Sequence, residues 1–242
     1  MPRARRTSRL AIAVWTLGCL VSTAVLGQAD SRAQARRGLF GSFEFRSATL
    51  AALPQWMRVV QRMADDKQTY DACAAAVKDC PFPAAAGWLA KVQSLKGLDR
   101  MTQLIELNRY FNRWPYKEDR ENYGASDYWA SPLEFLRRSG DCEDYAIIKF
   151  ASLRMLGYEN DDLRIVVVMD TLRNLPHAVL SVRMDEKLYI MDSLYDAVLT
   201  DDRNNFYVPQ YSVNETTRWA HIVVPAPPLA TLPTSDGTGR TP

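Results

Sequence analysis

Gly140-Asp141-Cys142-Glu143-Asp144-Tyr145-Ala146 places one thiol among three carboxylates. Asp141 sits at an N-cap position with Asp144 three residues on, the spacing of a capping box. Ala146, Phe150, Leu153 and Leu156 then recur at helical period until Gly157 stops the pattern. A buried helix therefore starts at Cys142. Its positive N-terminal end favours a thiolate. Asp141, Glu143 and Asp144 work against that, because a like charge nearby disfavours a second anion. A hard cation would remove the conflict, and clustered carboxylate oxygens suit Ca²⁺. The stretch reads as the nucleophile of a metal-dependent cysteine hydrolase.

Outward from this helix, the two flanks differ in period. On the N-terminal side, residues 52–63 and 98–114 carry apolar side chains at helical spacing, and Ser131-Pro132 opens a short helix over 133–138. Residues 38–45 read as an extended arm, and 117–127 as a polar loop. On the C-terminal side the period becomes two: residues 163–169, 177–184, 188–192 and 219–224 read as strands, with Asp185-Glu186 as a tight turn. Helices, one buried helix and then an antiparallel sheet make an α+β domain.

A nucleophilic cysteine needs a base and a group that orients the base. The chain has only two histidines, His177 and His221. If Asp185-Glu186 is a two-residue turn, Met184 faces Lys187 and Val179 faces Asp192. His177 shares a face with Val179. His177 and Asp192 are then diagonal neighbours, roughly 7 Å apart at the α-carbons, and a one-residue slip would separate them. With the helix packed on that face, the spacing predicts Cys142 as thiolate, His177 as base and later acid, and Asp192 as orienting carboxylate. The N–H of Cys142 is a natural oxyanion donor. Taken singly, a buried Cys, a strand His and a strand-end Asp are ordinary structural residues. Together, in this order, they match triad logic. His221 has no evident partner and reads as structural or exposed.

The remaining sequence bounds the setting. The chain has 242 residues, is 47% hydrophobic and carries a net charge of +2, which points neither to nucleic acid nor to a strongly acidic partner. Arg3, Arg5, Arg6 and Arg9 precede the apolar run 10–27, so residues 1–29 read as a secretory signal peptide, with an uncleaved membrane anchor as the rival reading. Residues 30–38 read as a flexible segment, 39–224 as the domain, and the Pro/Thr/Gly-rich 225–242 as a disordered tail. Without residues 1–29, Cys73, Cys80 and Cys142 remain. In an oxidising compartment, the closely spaced Cys73 and Cys80 are expected to form a local disulfide that fixes a surface turn, leaving Cys142 free.

These residues carry a resemblance. Leu107-Asn108-Arg109-Tyr110, Tyr128-Trp129-Ala130-Ser131-Pro132-Leu133-Glu134-Phe135, the Asp141-Cys142-Glu143-Asp144 motif, His177-Ala178-Val179-Leu180 and Met191-Asp192 resemble the bacterial transglutaminase-like cysteine proteinases, the LapG-type periplasmic enzymes. The resemblance spans about residues 39–224 and implies a papain-like/transglutaminase-like core with a triad of Cys142, His177 and Asp192. It also implies Ca²⁺ held by Asp141, Glu143 and Asp144. Further implied are a periplasmic location, cleavage of the N-terminal region of a large surface adhesin to control biofilm attachment, and sequestration by an inner-membrane cyclic-di-GMP receptor. The residues alone leave open acyl transfer to an amine through the same thioester, and a non-catalytic binding module. They also leave open a balance of the carboxylates by Arg109 or another base rather than by a metal ion.

Overall fold

The structure is a computed structural model that describes residues 38–75 and 80–224. The expected signal peptide, the flexible segment up to residue 37 and the expected tail at 225–242 lie outside the described residues. No helix among the described residues is long and apolar enough to cross a membrane.

Among the described residues, a helical half precedes the sheet half, as the change of period requires. The helices are α1 (Pro54–Asp65), α2 (Lys67–Ala75), α3 (Pro83–Leu95), α4 (Arg100–Phe111), the single-turn α5 (Asp119–Asn122), α6 (Pro132–Arg138) and α7 (Cys142–Met155). The strands are β1 (Phe43–Ser47), β2 (Leu163–Asp170), β3 (Leu175–Met184), β4 (Lys187–Met191), β5 (Leu199–Thr200), β6 (Tyr207–Val213) and β7 (Arg218–Ile222). They form one sheet in the order β1-β7-β6-β2-β3-β4-β5, with every pairing antiparallel. The α+β reading holds.

The β3–β4 hairpin has the predicted register. Asp185 and Glu186 both adopt positive φ, 48° and 61°, as a two-residue hairpin turn demands. Met184 pairs with Lys187 and Leu180 with Met191. α7 is hydrophobic around most of its circumference: Tyr145 through Leu153 are all buried. It packs on β2 and β3 through a core that includes Phe150, Leu153, Ile165, Leu180 and Val182. A smaller cluster, built from Leu39, Val166, Val168, Val179, Ile190 and Tyr207, covers the other side of the sheet.

That second cluster corrects one expectation. Val179, which shares the His177 face by alternation, belongs to the small cluster and not to the core around α7. α7 therefore does not lie flat on the His177 face; its N-terminus meets the beginning of β3 at the rim of the sheet. The expected disulfide is present: Cys73 and Cys80 are bonded, seven positions apart in sequence. Cys73, within α2, is buried in the main core, and residues 76–79 of the turn that the bond was expected to fix lie outside the described residues.

Candidate active site

Cys142 is the first residue of α7, and the segment before it is held from several sides. Ser139 takes a positive φ of 65°, a strained conformation kept only by its surroundings. Its hydroxyl donates to the Pro115 carbonyl, and its carbonyl accepts from Asn122 Nδ2 at 3.1 Å. The Gly140 carbonyl accepts from Lys117 N at 2.9 Å. A Cβ on Gly140 would lie 1.9 Å from Asp144 Oδ2, so the position must be glycine for lack of space. Asp141 and Asp144 form the predicted capping box, Asp144 Oδ2 accepting from Asp141 N at 3.3 Å. The other oxygen, Oδ1, accepts from Ala130 N at 2.6 Å.

Cys142 is the free cysteine among the described residues. It lines a cleft of about 640 Å³ together with Glu143, Asp141, His177, Ala178, Tyr116, Asp119 and Asp127. Its thiol donates to Glu143 Oε2 at 3.3 Å. Burial, followed by the charges of Glu143 and Asp141, pushes the thiol well above its ordinary pKa, while the Ala178 backbone N–H opposes this. The conflict read from the sequence is present in the structure: burial and the neighbouring carboxylates both disfavour the sulfur anion.

Across the cleft His177 and Asp192 meet as the hairpin register predicts. His177 Nε2 lies 2.9 Å from Asp192 Oδ1, and both side chains are 3% exposed. Oδ1 also accepts from Leu194 N at 2.9 Å. Oδ2 accepts from the Tyr207 hydroxyl at 2.5 Å. Burial alone would raise the pKa of Asp192, but the His177 bond and charge, with the other donors, hold it below the usual value. The Tyr207 ring also lies against the imidazole, centroids 5.7 Å apart.

The carboxylates cluster as expected and bring two more. Asp141, Cys142 and Glu143 offer ligand atoms within 4.8 Å of one another; so do Asp119, Asp141 and Asp144, and Asp119, Asp127 and Glu143. Asp119 is buried; one of its oxygens accepts from Tyr128 N, and Oδ1 has no partner. Asp141 Oδ1 is likewise buried, and neither Oδ1 has a partner among the described residues. Burial and mutual repulsion raise Asp144 well above its ordinary pKa, Asp119 to about 6 and Glu143 to about 10. Among the described residues none of these carboxylates makes an ion pair with a cationic side chain. Of the alternative counter-charges, Arg109 is exposed and outside the cleft, and Arg120 lines the cleft without an ion pair to any of these carboxylates among the described residues. Hard oxygen donors, orphan buried oxygens and uncompensated charge fit a bound Ca²⁺.

His221 is buried, with Nδ1 2.8 Å from Ser42 Oγ and Nε2 2.8 Å from Ser212 Oγ. It ties the Ser42 turn and β7 to β6, the structural alternative of its sequence reading. Asp119, Asp127 and Tyr207 escaped the sequence reading. The first two lie in what reads only as a polar loop, and the third in a strand that its internal Pro209 disguises.

A buried helix bearing a free cysteine at its N-terminus, set against an antiparallel sheet, is the architecture of transglutaminase-like cysteine peptidases. The family model of the bacterial transglutaminase-like cysteine proteinases (BTLCP) matches residues 63–226, and the chain belongs to this family. Among solved structures it is similar to LapG of Legionella pneumophila in its calcium-bound form, with 32% identity over 64% of this chain and 86% of that one and a TM-score of 0.55. The EGTA-treated form of the same protein matches with 32% identity, 64% and 84% coverage and a TM-score of 0.54. No curated protein sequence matches the chain. The chain is a bacterial cysteine peptidase.

Proposed function

We propose that the chain is a calcium-dependent, periplasmic cysteine endopeptidase, exported by residues 1–29, with residues 39–224 as the peptidase domain. Cys142 is the nucleophile, His177 the base and Asp192 the group that orients it. Asp141, Glu143 and Asp144, joined by Asp119, hold Ca²⁺. The observation that carries this reading is the His177 Nε2–Asp192 Oδ1 contact of 2.9 Å facing a free Cys142 across one cleft.

Asp192 accepts the Nε2–H and fixes the imidazole so that Nδ1 takes the thiol proton. The resulting sulfur anion attacks the scissile carbonyl carbon. The oxyanion that develops is met by the N–H of Cys142, at the positive end of α7. As the C–N bond breaks, His177 returns the proton to the leaving amine and a thioester remains on Cys142. His177 then draws a proton from water, the hydroxide adds to the thioester, and the carboxylic product and thiol are released. Ca²⁺, when bound, supplies positive charge that offsets Glu143 and Asp141 and so lowers the proton affinity of the sulfur.

The proposed substrate is the N-terminal region of a large exported adhesin, whose cleavage controls biofilm attachment. The proposed regulator is an inner-membrane cyclic-di-GMP receptor that sequesters the enzyme. LapG of Legionella pneumophila, which has a calcium-bound form, supports the metal part of this reading. The test is incubation of the mature chain with an adhesin N-terminal fragment, with mapping of new N-termini. Cys142→Ala and EGTA should each abolish cleavage; full cleavage in either would reject the reading. Incorporation of a labelled amine in place of hydrolysis would instead assign acyl transfer.

A further inference from the structure

Lys149 lies in α7, seven residues beyond the nucleophile, and is 1% exposed. Burying an ammonium is costly unless something is gained by it. Its Nζ donates to Asn112 Oδ1 at 2.8 Å. An ammonium can only donate, so this bond fixes which way the Asn112 amide faces: oxygen toward Lys149, NH₂ away from it. The NH₂ group donates to the Asp192 carbonyl at 3.0 Å, the Tyr195 carbonyl at 3.1 Å and Asp196 Oδ1 at 3.2 Å. One helical turn earlier, fully buried Asn108 donates through Nδ2 to the Tyr195 carbonyl at 2.8 Å and the Asp196 carbonyl at 3.3 Å.

These bonds converge on one segment. Residues 192–198 leave β4 without regular structure, so no strand ladder holds the backbone that carries Asp192. Two asparagines on one face of the α4 end do that work instead, and they touch neither the sulfur nor the imidazole. Asp196 and Asp192 are the negative charges that face Lys149, opposing the burial that pulls its pKa down to about 7.

We infer that Asn112, locked by Lys149 and assisted by Asn108, is a positioning residue that sets the Asp192 carboxylate against His177. The inference rests on the triad proposed above. Misplacing such a group by about 1 Å costs roughly a hundredfold in rate.

The test is alkylation of Cys142 by iodoacetamide in the full chain with millimolar Ca²⁺, followed by mass spectrometry across pH. Asn112→Asp keeps an acceptor for Lys149 but removes both N–H donors toward the 192–196 backbone. If Asn112 serves only as an acceptor for Lys149, this variant alkylates at the wild-type rate across pH. If it positions Asp192, the imidazolium partner of the thiolate is weakened. Alkylation near pH 6 then falls about tenfold, while the rate near pH 9, where hydroxide makes the thiolate, stays within about threefold. Lys149→Leu, which removes the donor that orients the Asn112 amide, should give the same pH-selective loss and serves if Asn112→Asp fails to fold. Asp192→Asn is run in parallel. Loss in Asp192→Asn with a wild-type profile in both Asn112→Asp and Lys149→Leu overturns the positioning role alone. A wild-type profile in Asp192→Asn overturns the triad, and this inference with it. In the double variant Asn112→Asp/Asp192→Asn, positioning through Asp192 predicts no loss beyond that of Asp192→Asn.

Discussion

Asp192 engages both carboxylate oxygens, with His177 and Leu194 on one and Tyr207 on the other. Across the cleft, Asp119 and Asp141 each keep a buried oxygen with no partner among the described residues. The imidazole side is complete within the chain, and its carboxylate is stabilised as an anion. The α7 side is short of positive charge, so its carboxyls are driven toward their protonated forms. The same residue type is thus a finished part on one side and a half-made site on the other. What separates them is the charge of their neighbours, since Asp144 and Asp192 are both almost wholly buried and both accept from backbone N–H groups, but Asp192 faces His177 whereas Asp144 faces Asp141 and Asp119. An imidazole within the chain faces one; the other is the side to which the proposed Ca²⁺ would bring positive charge.

The largest effect is expected on the imidazole side. Asp192→Asn should lower kcat on a cleavable adhesin fragment by about 10⁴-fold, as the wrong imidazole tautomer is then favoured. A loss below tenfold would mean that His177 needs no anion. On the unfinished side, Asp119→Ala should weaken Ca²⁺ binding by about a hundredfold in calorimetry, since carboxylate count tunes affinity. The hairpin should be untouched by this change, and unaltered binding would place the ion elsewhere.

His221 offers a control away from both sides. Its pKa is lowered to about 4 from 6.5, because burial disfavours the imidazolium. The folded state therefore takes up its proton later than the unfolded chain as pH falls. This contributes about 3 kcal/mol, present above pH 6.5 and lost progressively toward pH 4. Urea midpoints at pH 7 and 4.5 should converge in His221→Gln relative to wild type; an unchanged slope would assign the acid sensitivity to other groups. The smallest effect is expected at the disulfide. Cys73→Ser opens a loop closed over seven positions and should cost about 2 kcal/mol in denaturant titration. Cleavage by the folded protein should not change, because neither cysteine lines the cleft.

Much of this was legible wherever local chemistry dictates local structure. The α7 start follows from Asp141 and Asp144, and the His177–Asp192 contact from the Asp185-Glu186 turn and strand alternation alone. β6 was not legible, because Pro209 sits inside it opposite Val168, where the β2 register shifts. α2 and α3 flank the disulfide in an Ala-rich stretch whose apolar pattern is weak, and tertiary packing rather than pattern makes them helical. Asp119 and Asp127 were hidden for a different reason: no spacing rule says which acidic loop residue folds back over a helix start. The side of the sheet that receives His177 was also beyond reach, since parity tells which residues share a face but not which face meets the helix.

Gly140 has a consequence for how the peptidase can vary. With Asp144 Oδ2 1.9 Å from where a methyl carbon would be, even alanine would have to evict the carboxylate that Ala130 N and Asp141 N hold in place. The absence of one carbon atom thus keeps an acidic oxygen pinned beneath the chain just ahead of the sulfur. Any descendant that loses this hydrogen-for-carbon economy must rebuild the whole turn at once.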